Sequence, residues 1–185
     1  VESHAGLDPG AGASAIDEIA RVVSVLHAAT DLAEGTTVNV GVLRGGTRRN
    51  VVAGVAAAEV DVRVATSAAQ HRIDALLAGL TAHDPRVSVS VDGGWNRPVM
   101  ERGPGMAALY ALASRAALAL GIDLRETAVG GASDGNLAAA MGLPVLDGLG
   151  AVGDGAHARH EHVSAGAMPE RAALAAALIA AFADG

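Results

Sequence analysis

An imidazole and a carboxylate lie four residues apart in the segment His157-Ala-Arg-His-Glu161, directly after a glycine-rich run. Glycine lets a backbone turn closely around another group, and histidine is the commonest metal ligand in proteins. A catalytic zinc ion usually needs three protein ligands, however, and the order His-x-x-His-Glu-His matches neither helical zinc motif. Two interpretations remain open: one histidine binds a metal while Glu161 organises the loop, or the group is a solvated turn.

Side chains suited to binding a polar substrate lie in the first half of the chain. His4, in His-Ala-Gly, is positioned either to donate to a developing oxyanion or to be an exposed histidine near a chain end. Asn50 follows a Gly-Gly-Thr turn, and Arg63 lies on the polar face of a predicted strand. An amide and a guanidinium that face one cavity would suit a carbonyl and a carboxylate; surface hydrogen bonding is the alternative. Arg97 is a further candidate for the carboxylate.

Two glycine-rich segments invite a comparison with anion-binding loops. Residues 130–136, which include Gly131 and Ser133, join a predicted strand to a predicted helix. The backbone N–H groups there favour an anionic or polarised oxygen, unless Ser133 or its neighbour is an ordinary N-cap. Residues 10–15 match the dinucleotide-binding spacing, but no hydrophobic strand precedes them, and a flexible entry into a helix explains them better.

The composition excludes several classes of protein. The net charge is −7, with 13 basic and 20 acidic residues, and no basic stripe suggests a nucleic-acid partner. No apolar run is expected to reach membrane-spanning length. Cysteine is absent, which excludes disulfides and thiolate metal sites. Hydrophobic residues make up 51% of the chain and aromatic residues only 2%, so the core must consist of small aliphatic side chains.

Hydrophobic periodicity in the first half predicts an α+β domain. Apolar residues recur at helical spacing in one pair of segments, and they alternate in three others. The helices are predicted at 14–29 and 67–80, and Ser67 is predicted as the N-cap of the second helix. The strands are predicted at 36–43, 51–64 and 87–91. With a first strand mostly upstream of Val1, this order is the ferredoxin-like βαββαβ arrangement. Residue 1 is therefore expected to be a fragment boundary, and residues 1–98 are predicted to form one domain.

The second half, residues 99–185, alternates helices and strands and predicts part of an α/β domain. Helices are predicted at 106–120, at 168–182 and in a short segment through Met141, and strands at 124–128 and 144–149. Two short strands are too few to form an independent sheet. This half is therefore predicted to complete a larger domain.

Taken together, the motifs resemble one family over essentially the whole chain. In chain order they are His4-Ala5-Gly6, Thr36-Thr37-Val38-Asn39-Val40-Gly41, Gly45-Gly46-Thr47 with Asn50-Val51-Val52, Asp61-Val62-Arg63, Gly130-Gly131-Ala132-Ser133-Asp134-Gly135-Asn136, Asp147-Gly148-Leu149-Gly150, and His157 with Glu161. The chain resembles the co-catalytic zinc amidohydrolases and peptidases that include glutamate carboxypeptidase, aminoacylase, succinyl-diaminopimelate desuccinylase and β-alanine synthase.

The resemblance implies a role for each matched residue. Residues 1–98 would be the lid, or dimerisation domain, and residues 99–185 the C-terminal segment of the catalytic domain. His4 would cross the dimer interface and stabilise the tetrahedral intermediate in the partner's active site, while Asn50 and Arg63 would bind the substrate's carbonyl and carboxylate. Gly131 and Ser133 would line the pocket, and His157 would be a zinc ligand.

The chain departs from the family in one respect. The family's His-x-Asp motif, bridging aspartate and Glu-Glu pair precede the lid, and these 185 residues contain none of them. The complete enzyme is expected to hold two zinc ions and to cleave an amide bond of a small carboxylate-bearing substrate. This chain alone is expected to bind metal weakly or not at all and to be inactive. The alternative is a non-catalytic dimerisation or binding module. A cytoplasmic location is expected, since no signal peptide is visible.

Overall fold

The computed structural model describes residues 1–183. The chain divides into two compact units, of which the first is Val1–Val99 and the second begins at Met100. Each unit has its own helices and its own small antiparallel strand pair.

A two-stranded antiparallel sheet forms the centre of the first unit. Strand β1 (Thr37–Gly45) pairs with strand β2 (Ala56–Arg63), so that Thr37 lies opposite Arg63 at one end and Gly45 lies opposite Ala56 at the other. Alternating valines on both strands place Val38 opposite Val62 on the face that packs against the helices. The register shifts between Val40 and Val42. The two strands agree with the sequence prediction, although β2 begins at Ala56 rather than at residue 51.

Two helices cover the apolar face of this sheet. Helix α1 (Ala15–His27) begins after Ser14, whose hydroxyl accepts from the Asp17 N–H at 3.2 Å. Helix α2 (Ser67–Ala78) is capped by Thr66, whose hydroxyl accepts from the Ala69 N–H. The prediction of Ser67 as the N-cap was therefore wrong by one residue, because both neighbours carry a capping hydroxyl. The buried core consists of Val22, Leu26, Val38 and Ile73.

The N-terminal residues pair with the segment that leads into β2. The Ser3 carbonyl accepts from the Val52 N–H at 2.9 Å, and the Ala5 N–H donates to the Asn50 carbonyl at 2.9 Å. Gly12 is buried beside this pairing, and a Cβ built there would lie 2.5 Å from the Ser3 Oγ. Gly12 is therefore required for close packing against Ser3 and Val52.

Carboxylates anchor the loop that follows α2. Glu18, which is buried on α1, accepts from the backbone N–H groups of His83 at 2.9 Å and Asp84 at 2.8 Å. These two hydrogen bonds, followed by that from Arg21, lower the pKa of Glu18 despite its burial. The Asp84 carboxylate in turn binds the Arg86 guanidinium, which lowers the pKa of Asp84 to about 2.

Residues 87–91 do not pair into a sheet with any described segment. Their alternation persists in part, since Val87 and Val89 are half-buried and Ser88 and Ser90 are exposed. The prediction of a strand here was wrong because alternation shows which side chains share a face, whereas a strand also needs a hydrogen-bonded neighbour. After this segment, the Trp95 indole N–H donates to the Asp74 carboxylate at 2.8 Å.

Two alanine-rich helices pack together in the second unit. Helix α3 (Pro104–Ala119) contacts the C-terminal helix α5 (Met168–Ala183), and Ala113, Ala117 and Leu174 are fully buried. Small side chains let such helix axes approach closely, which fits a chain that is poor in aromatic residues. Helix α4 (Gly135–Ala140) is a short turn between them.

The strands predicted at 124–128 and 144–149 are not formed in the described part of the chain. Side chains hold the first of these segments instead. The Tyr110 hydroxyl donates to the Leu124 carbonyl at 3.0 Å, and Arg102 binds both oxygens of the Glu126 carboxylate. These two strand predictions were wrong for the same reason as that for residues 87–91, because no described neighbouring segment forms backbone hydrogen bonds with them.

A short β-hairpin that the sequence did not predict contains the His157 segment. Strands β3 (Gly153–Asp154) and β4 (His162–Val163) pair antiparallel, and the residues between them form the turn. The Ser164 N–H closes the base of the hairpin by donating to the Val152 carbonyl at 2.7 Å.

The C-terminal helical segment Ala165–Ala183 is long and apolar enough to cross a membrane, judged by length and composition. This corrects the expectation that no run reaches spanning length. Glu170 and Arg171 interrupt the apolar residues, so counting consecutive residues misses a segment whose average hydropathy is high. Core helices of soluble proteins pass the same test, but only 6% of this segment is buried, with Leu174 as its fully buried residue.

Candidate functional site

The His4 ring is oriented by backbone hydrogen bonds. Its Nδ1 atom accepts from the N–H groups of Gly6 and Leu7, each at 3.1 Å. A neutral imidazole carries its proton on the nitrogen that does not accept, which here is Nε2. The exposed His4 side chain therefore presents an oriented N–H donor in its neutral form.

Asn50 lies beside His4 through backbone pairing. The Asn50 carbonyl accepts from the N–H of Ala5, the residue after His4, and His4 itself forms an antiparallel bridge with Val51. Both side chains are exposed. The structure thus places the backbone of Asn50 beside that of the residue after His4.

Arg63 lies at the opposite end of the β1–β2 hairpin. Asn50 belongs to the connection that follows Gly45, whereas Arg63 ends β2 opposite Thr37. At about 3.3 Å per residue, the seven steps from Ala56 to Arg63 span roughly 23 Å. Arg63 therefore lies roughly 23 Å along the strand from Ala56, the end of the hairpin next to the connection that contains Asn50. The Arg63 Nε donates to the Asp61 carboxylate at 2.9 Å on the helix-free face.

Arg97 is half-buried near the end of the first unit. Its Nη1 atom donates to the Asn96 carbonyl at 3.2 Å and to the Asn96 side-chain oxygen at 3.3 Å. These are contacts to an adjacent residue, so they orient the guanidinium locally.

Ser133 organises the loop that the sequence singled out in the second unit. Its hydroxyl accepts from the Gly135 N–H at 3.0 Å, and its own N–H donates to the Asn136 side chain at 2.9 Å. The same hydroxyl donates to the Asp147 carboxylate; this contact, followed by that from the Gly148 N–H, lowers the pKa of Asp147. Gly131, by contrast, is exposed, with open space where a Cβ would lie.

Sequence reasoning placed Asp147 in a motif without giving it a role, and it did not single out Arg171. Arg171, in the first turns of α5, donates to the carbonyls of Gly148, Leu149 and Gly150 at 3.0–3.2 Å. The available signals were an aspartate beginning the motif Asp-Gly-Leu-Gly and an arginine within an otherwise apolar helix. Neither signal indicates a partner without the tertiary structure.

His157 occupies the turn of the β3–β4 hairpin with a left-handed backbone. Its φ is 64°, and it is the one non-glycine residue with positive φ among residues 1–183. Such a conformation costs a residue with a Cβ on the order of 1 kcal/mol, although histidine adopts it more often than most. His160 lies over Gly155, so that a Cβ built there would be 2.7 Å from the His160 ring. The His157 side chain is exposed.

The described residues do not by themselves fit a metal site. No group of three or more histidine, cysteine, aspartate or glutamate side chains converges anywhere in residues 1–183. The cluster of His157, His160, Glu161 and His162 therefore offers separate side chains rather than a cage. A two-zinc centre would need most of its ligands from elsewhere.

Comparisons with known proteins identify the first unit. Residues 1–86 match the family model described as the peptidase dimerisation domain. This match covers most of the first unit, which is similar to an M20 peptidase dimerisation domain. The resemblance to the zinc amidohydrolases and peptidases is confirmed, as is the fold class of an α+β lid.

Relatives extend the similarity beyond this domain. Carboxypeptidase G2 from Pseudomonas sp. (strain RS-16) is 30% identical over 96% of this chain and 44% of its own length. Aminopeptidase PepT from Bacillus cereus superposes with a TM-score of 0.84 at 24% identity, over 98% of this chain and 49% of its own. A tripeptidase from Staphylococcus aureus superposes with a TM-score of 0.69 at 23% identity, over 97% of this chain and 47% of its own. These two structures show the shared fold, and the chain spans about half the length of the relatives it matches.

Proposed function

We propose that this chain is the substrate-gripping and dimerising part of a zinc-dependent peptidase or amidohydrolase. The complete enzyme hydrolyses an amide bond of a small substrate that carries a carboxylate, as a carboxypeptidase or an aminoacylase does. The observation that carries the proposal is the 30% identity to Carboxypeptidase G2 over 96% of the chain, which includes both units. The peptidase dimerisation domain at residues 1–86 supports a homodimer formed through the first unit.

His4 acts in this proposal as the catalytic oxyanion donor. Two backbone N–H groups occupy its Nδ1, so its Nε2–H points away from its own chain. A preorganised donor of this kind stabilises the negative charge that develops on a carbonyl oxygen during hydrolysis, and it needs no reorganisation as the charge forms. Asn50 acts beside it by hydrogen bonding the substrate carbonyl.

Arg63 binds the substrate carboxylate through its guanidinium. The roughly 23 Å length of the hairpin is more than a dipeptide-sized molecule can bridge. We therefore assign Arg63 to the active site of its own protomer, and the pair His4 and Asn50 to the site of the second protomer. Asp61 neutralises part of the Arg63 charge, and a substrate carboxylate competes with Asp61 for the guanidinium.

Arg97, Gly131 and Ser133 complete the proposed binding set. The half-buried Arg97 is a second candidate for a carboxylate. Open space around Gly131 leaves its backbone accessible to a substrate, and the hydroxyl of Ser133 fixes the shape of the loop through Asp147 and Gly135.

His157 is proposed as a single zinc ligand of the complete enzyme. Its exposed position on a hairpin turn and its left-handed backbone support a functional constraint, since strained conformations persist mostly at functional sites. Because the described residues hold no further ligand group beside it, we expect the 185-residue chain alone to bind metal weakly and to lack hydrolase activity. A cytoplasmic location stays a prediction.

Metal analysis and an amidase assay on the intact gene product test the proposal. The intact product is expected to contain zinc and to hydrolyse N-acyl or peptidyl amino acids, with activity lost on chelation, whereas the 185-residue chain is expected to do neither. An intact product that binds no metal and cleaves none of these substrates would instead support a non-catalytic dimerisation module. The lack of a converging ligand group in residues 1–183 is the observation that favours this alternative.

A further inference from the structure

One guanidinium, that of Arg171, binds three consecutive backbone carbonyls. The Arg171 Nη2 donates to Gly148 at 3.0 Å, and its Nε donates to Leu149 at 3.2 Å and Gly150 at 3.0 Å. Successive carbonyls of an extended chain point to opposite sides. Three of them can reach one side chain only if the segment curls around it, and Gly148 has a φ of 72° that permits such a curl.

No described strand pairs with this segment, and Arg171 is the partner that the structure shows for its three carbonyls. Residues 144–150 form no ladder with any described segment. Arginine suits the task, since its planar fork carries five donors in a fixed geometry, whereas lysine offers a single ammonium group.

The curled segment is connected to the Ser133 loop on its other side. Asp147, which precedes Gly148, accepts from the Ser133 hydroxyl and from the Gly148 N–H, the latter at 2.8 Å. Ser133 in turn accepts from Gly135 at the start of α4. Consecutive hydrogen bonds therefore link α5 to the glycine-rich loop, from Arg171 through Gly148 and Asp147 to Ser133.

The same curl lies immediately before the hairpin that bears His157. Val152, two residues after the last clamped carbonyl, accepts from Ser164, and β3 begins at Gly153. The direction in which the hairpin leaves the body of the second unit is therefore set close to the Arg171 contact.

We propose that Arg171 is a positioning residue that holds the Ser133 loop and the His157 hairpin in their working arrangement. This inference rests on the proposed function, in which the loop lines the substrate pocket and His157 binds zinc. Arg171 itself touches neither substrate nor metal. It acts by fixing the curl at residues 148–150, from which both functional segments are held.

The variants Arg171→Gln and Arg171→Lys in the intact enzyme test this role, with Arg125→Gln as the matched control. Arg125 lies in the same unit, is highly exposed and forms an ion pair with the nearby Asp123. We expect Arg171→Gln to lower kcat/KM on the order of tenfold to a hundredfold, the range expected for a misplacement near 1 Å. Arg171→Lys should recover part of this loss, and Arg125→Gln should match the wild type.

Amide hydrogen exchange supplies the readout that general destabilisation would not produce. Exchange across residues 147–163 should quicken in Arg171→Gln, on the order of tenfold, while exchange in α3 stays at the wild-type rate. Wild-type kinetics in Arg171→Gln, or faster exchange throughout the second unit, would overturn the proposal. An intact wild-type protein without amidase activity would refute the proposed function instead. If exchange at residues 147–163 were also unchanged in Arg171→Gln, the positioning role of Arg171 would be refuted as well.

Discussion

The two units hold their candidate residues by different means. In the first unit, backbone pairing sets the positions: the β1–β2 ladder separates Arg63 from the Gly45 end, and a bridge places His4 beside Val51. In the second unit, His157 lies on a short paired hairpin, but the segments around Ser133 and Gly148 form no ladder and are held by the side chains of Ser133, Asp147 and Arg171.

This difference teaches where single substitutions should act. Backbone hydrogen bonds survive most side-chain changes, so a substitution in the first unit should remove the chemistry of one residue and leave its neighbours in place. The carbonyls of residues 148–150 are held by the single side chain of Arg171, so a substitution there should displace the whole segment. Substitutions in both units test this contrast, beginning with the largest expected effect.

His4→Ala in the intact enzyme should reduce kcat on the order of 10²–10³-fold, because an oxyanion donor is lost while the backbone pairing around it remains. Steady-state kinetics measure the loss of kcat, and thermal unfolding measures whether the fold around His4 is retained. His27→Ala, at the exposed end of α1, is the control and should be near wild type. A kcat within twofold of wild type for His4→Ala would contradict the role.

His157→Gly should cost the intact enzyme at least about 10–100-fold in metal affinity, since even changes around a metal ligand have effects of that size. Glycine accepts the φ of 64° without strain, so the hairpin should persist. His162→Ala is the control and should keep its metal. Metal retained by His157→Gly after dialysis, as measured by elemental analysis, would remove His157 from the ligand set.

Mixing the His4→Ala and His157→Gly proteins tests whether sites are shared across the dimer. A heterodimer would have one site with an intact His157 and the partner's intact His4. Random exchange of protomers should therefore restore about a quarter of the wild-type activity, because half of the dimers are mixed and each has one complete site. If both residues served the site of their own chain, mixing would restore nothing.

Arg63→Ala should raise KM for carboxylate substrates by about 10–100-fold, because the loss of one hydrogen bond to a charged group weakens binding by about that factor. The control is Arg44→Ala on the neighbouring strand, which removes the ion pair with Glu59. Stability should change little in either variant, because exposed ion pairs contribute little. An unchanged KM for Arg63→Ala, or an equal rise for Arg44→Ala, would argue against carboxylate binding by Arg63.

Gly12→Ala should lower the free energy of unfolding by about 1–3 kcal/mol, since a Cβ there would overlap Ser3 and Val52. Gly10→Ala should be near neutral, because nothing lies within 4 Å of its Cβ position. Denaturant unfolding compares the two. Equal stability of both variants would show that the pairing of the N-terminal residues is loose, and would weaken the contrast between the units.

The smallest effect concerns pH. Because Arg86 holds the pKa of Asp84 at about 2, below its usual 3.8, this carboxylate stabilises the fold above pH 4, and its contribution is lost as the pH falls through about 2. Asp84→Asn should therefore lose less stability than wild type between pH 5 and pH 2.5, as measured by the urea midpoint. Asp92→Asn, at an exposed position, should follow the wild type. Identical curves for all three proteins would contradict the assignment.

Helices were the most predictable elements of this chain. The segments 14–29, 67–80, 106–120 and 168–182 agree closely with the observed helices, because the spacing of apolar residues within a helix is local information. Strands were predicted well only where the chain returns directly on itself, as in β1 and β2. The segments 87–91, 124–128 and 144–149 have strand-like composition but lack a described neighbour, and the β3–β4 hairpin is too short to leave a pattern.

The candidate site follows the same division. The sequence by itself determined which residue types are present and in which order, and that order sufficed for the resemblance to zinc peptidases that the dimerisation domain confirmed. Only the tertiary structure decided that the backbone of Asn50 pairs beside that of His4, that the proton of neutral His4 lies on Nε2, and that Arg171 binds the Gly148 segment. Residue type and local spacing are encoded in neighbouring positions, whereas these contacts join distant residues that meet only once the chain has folded.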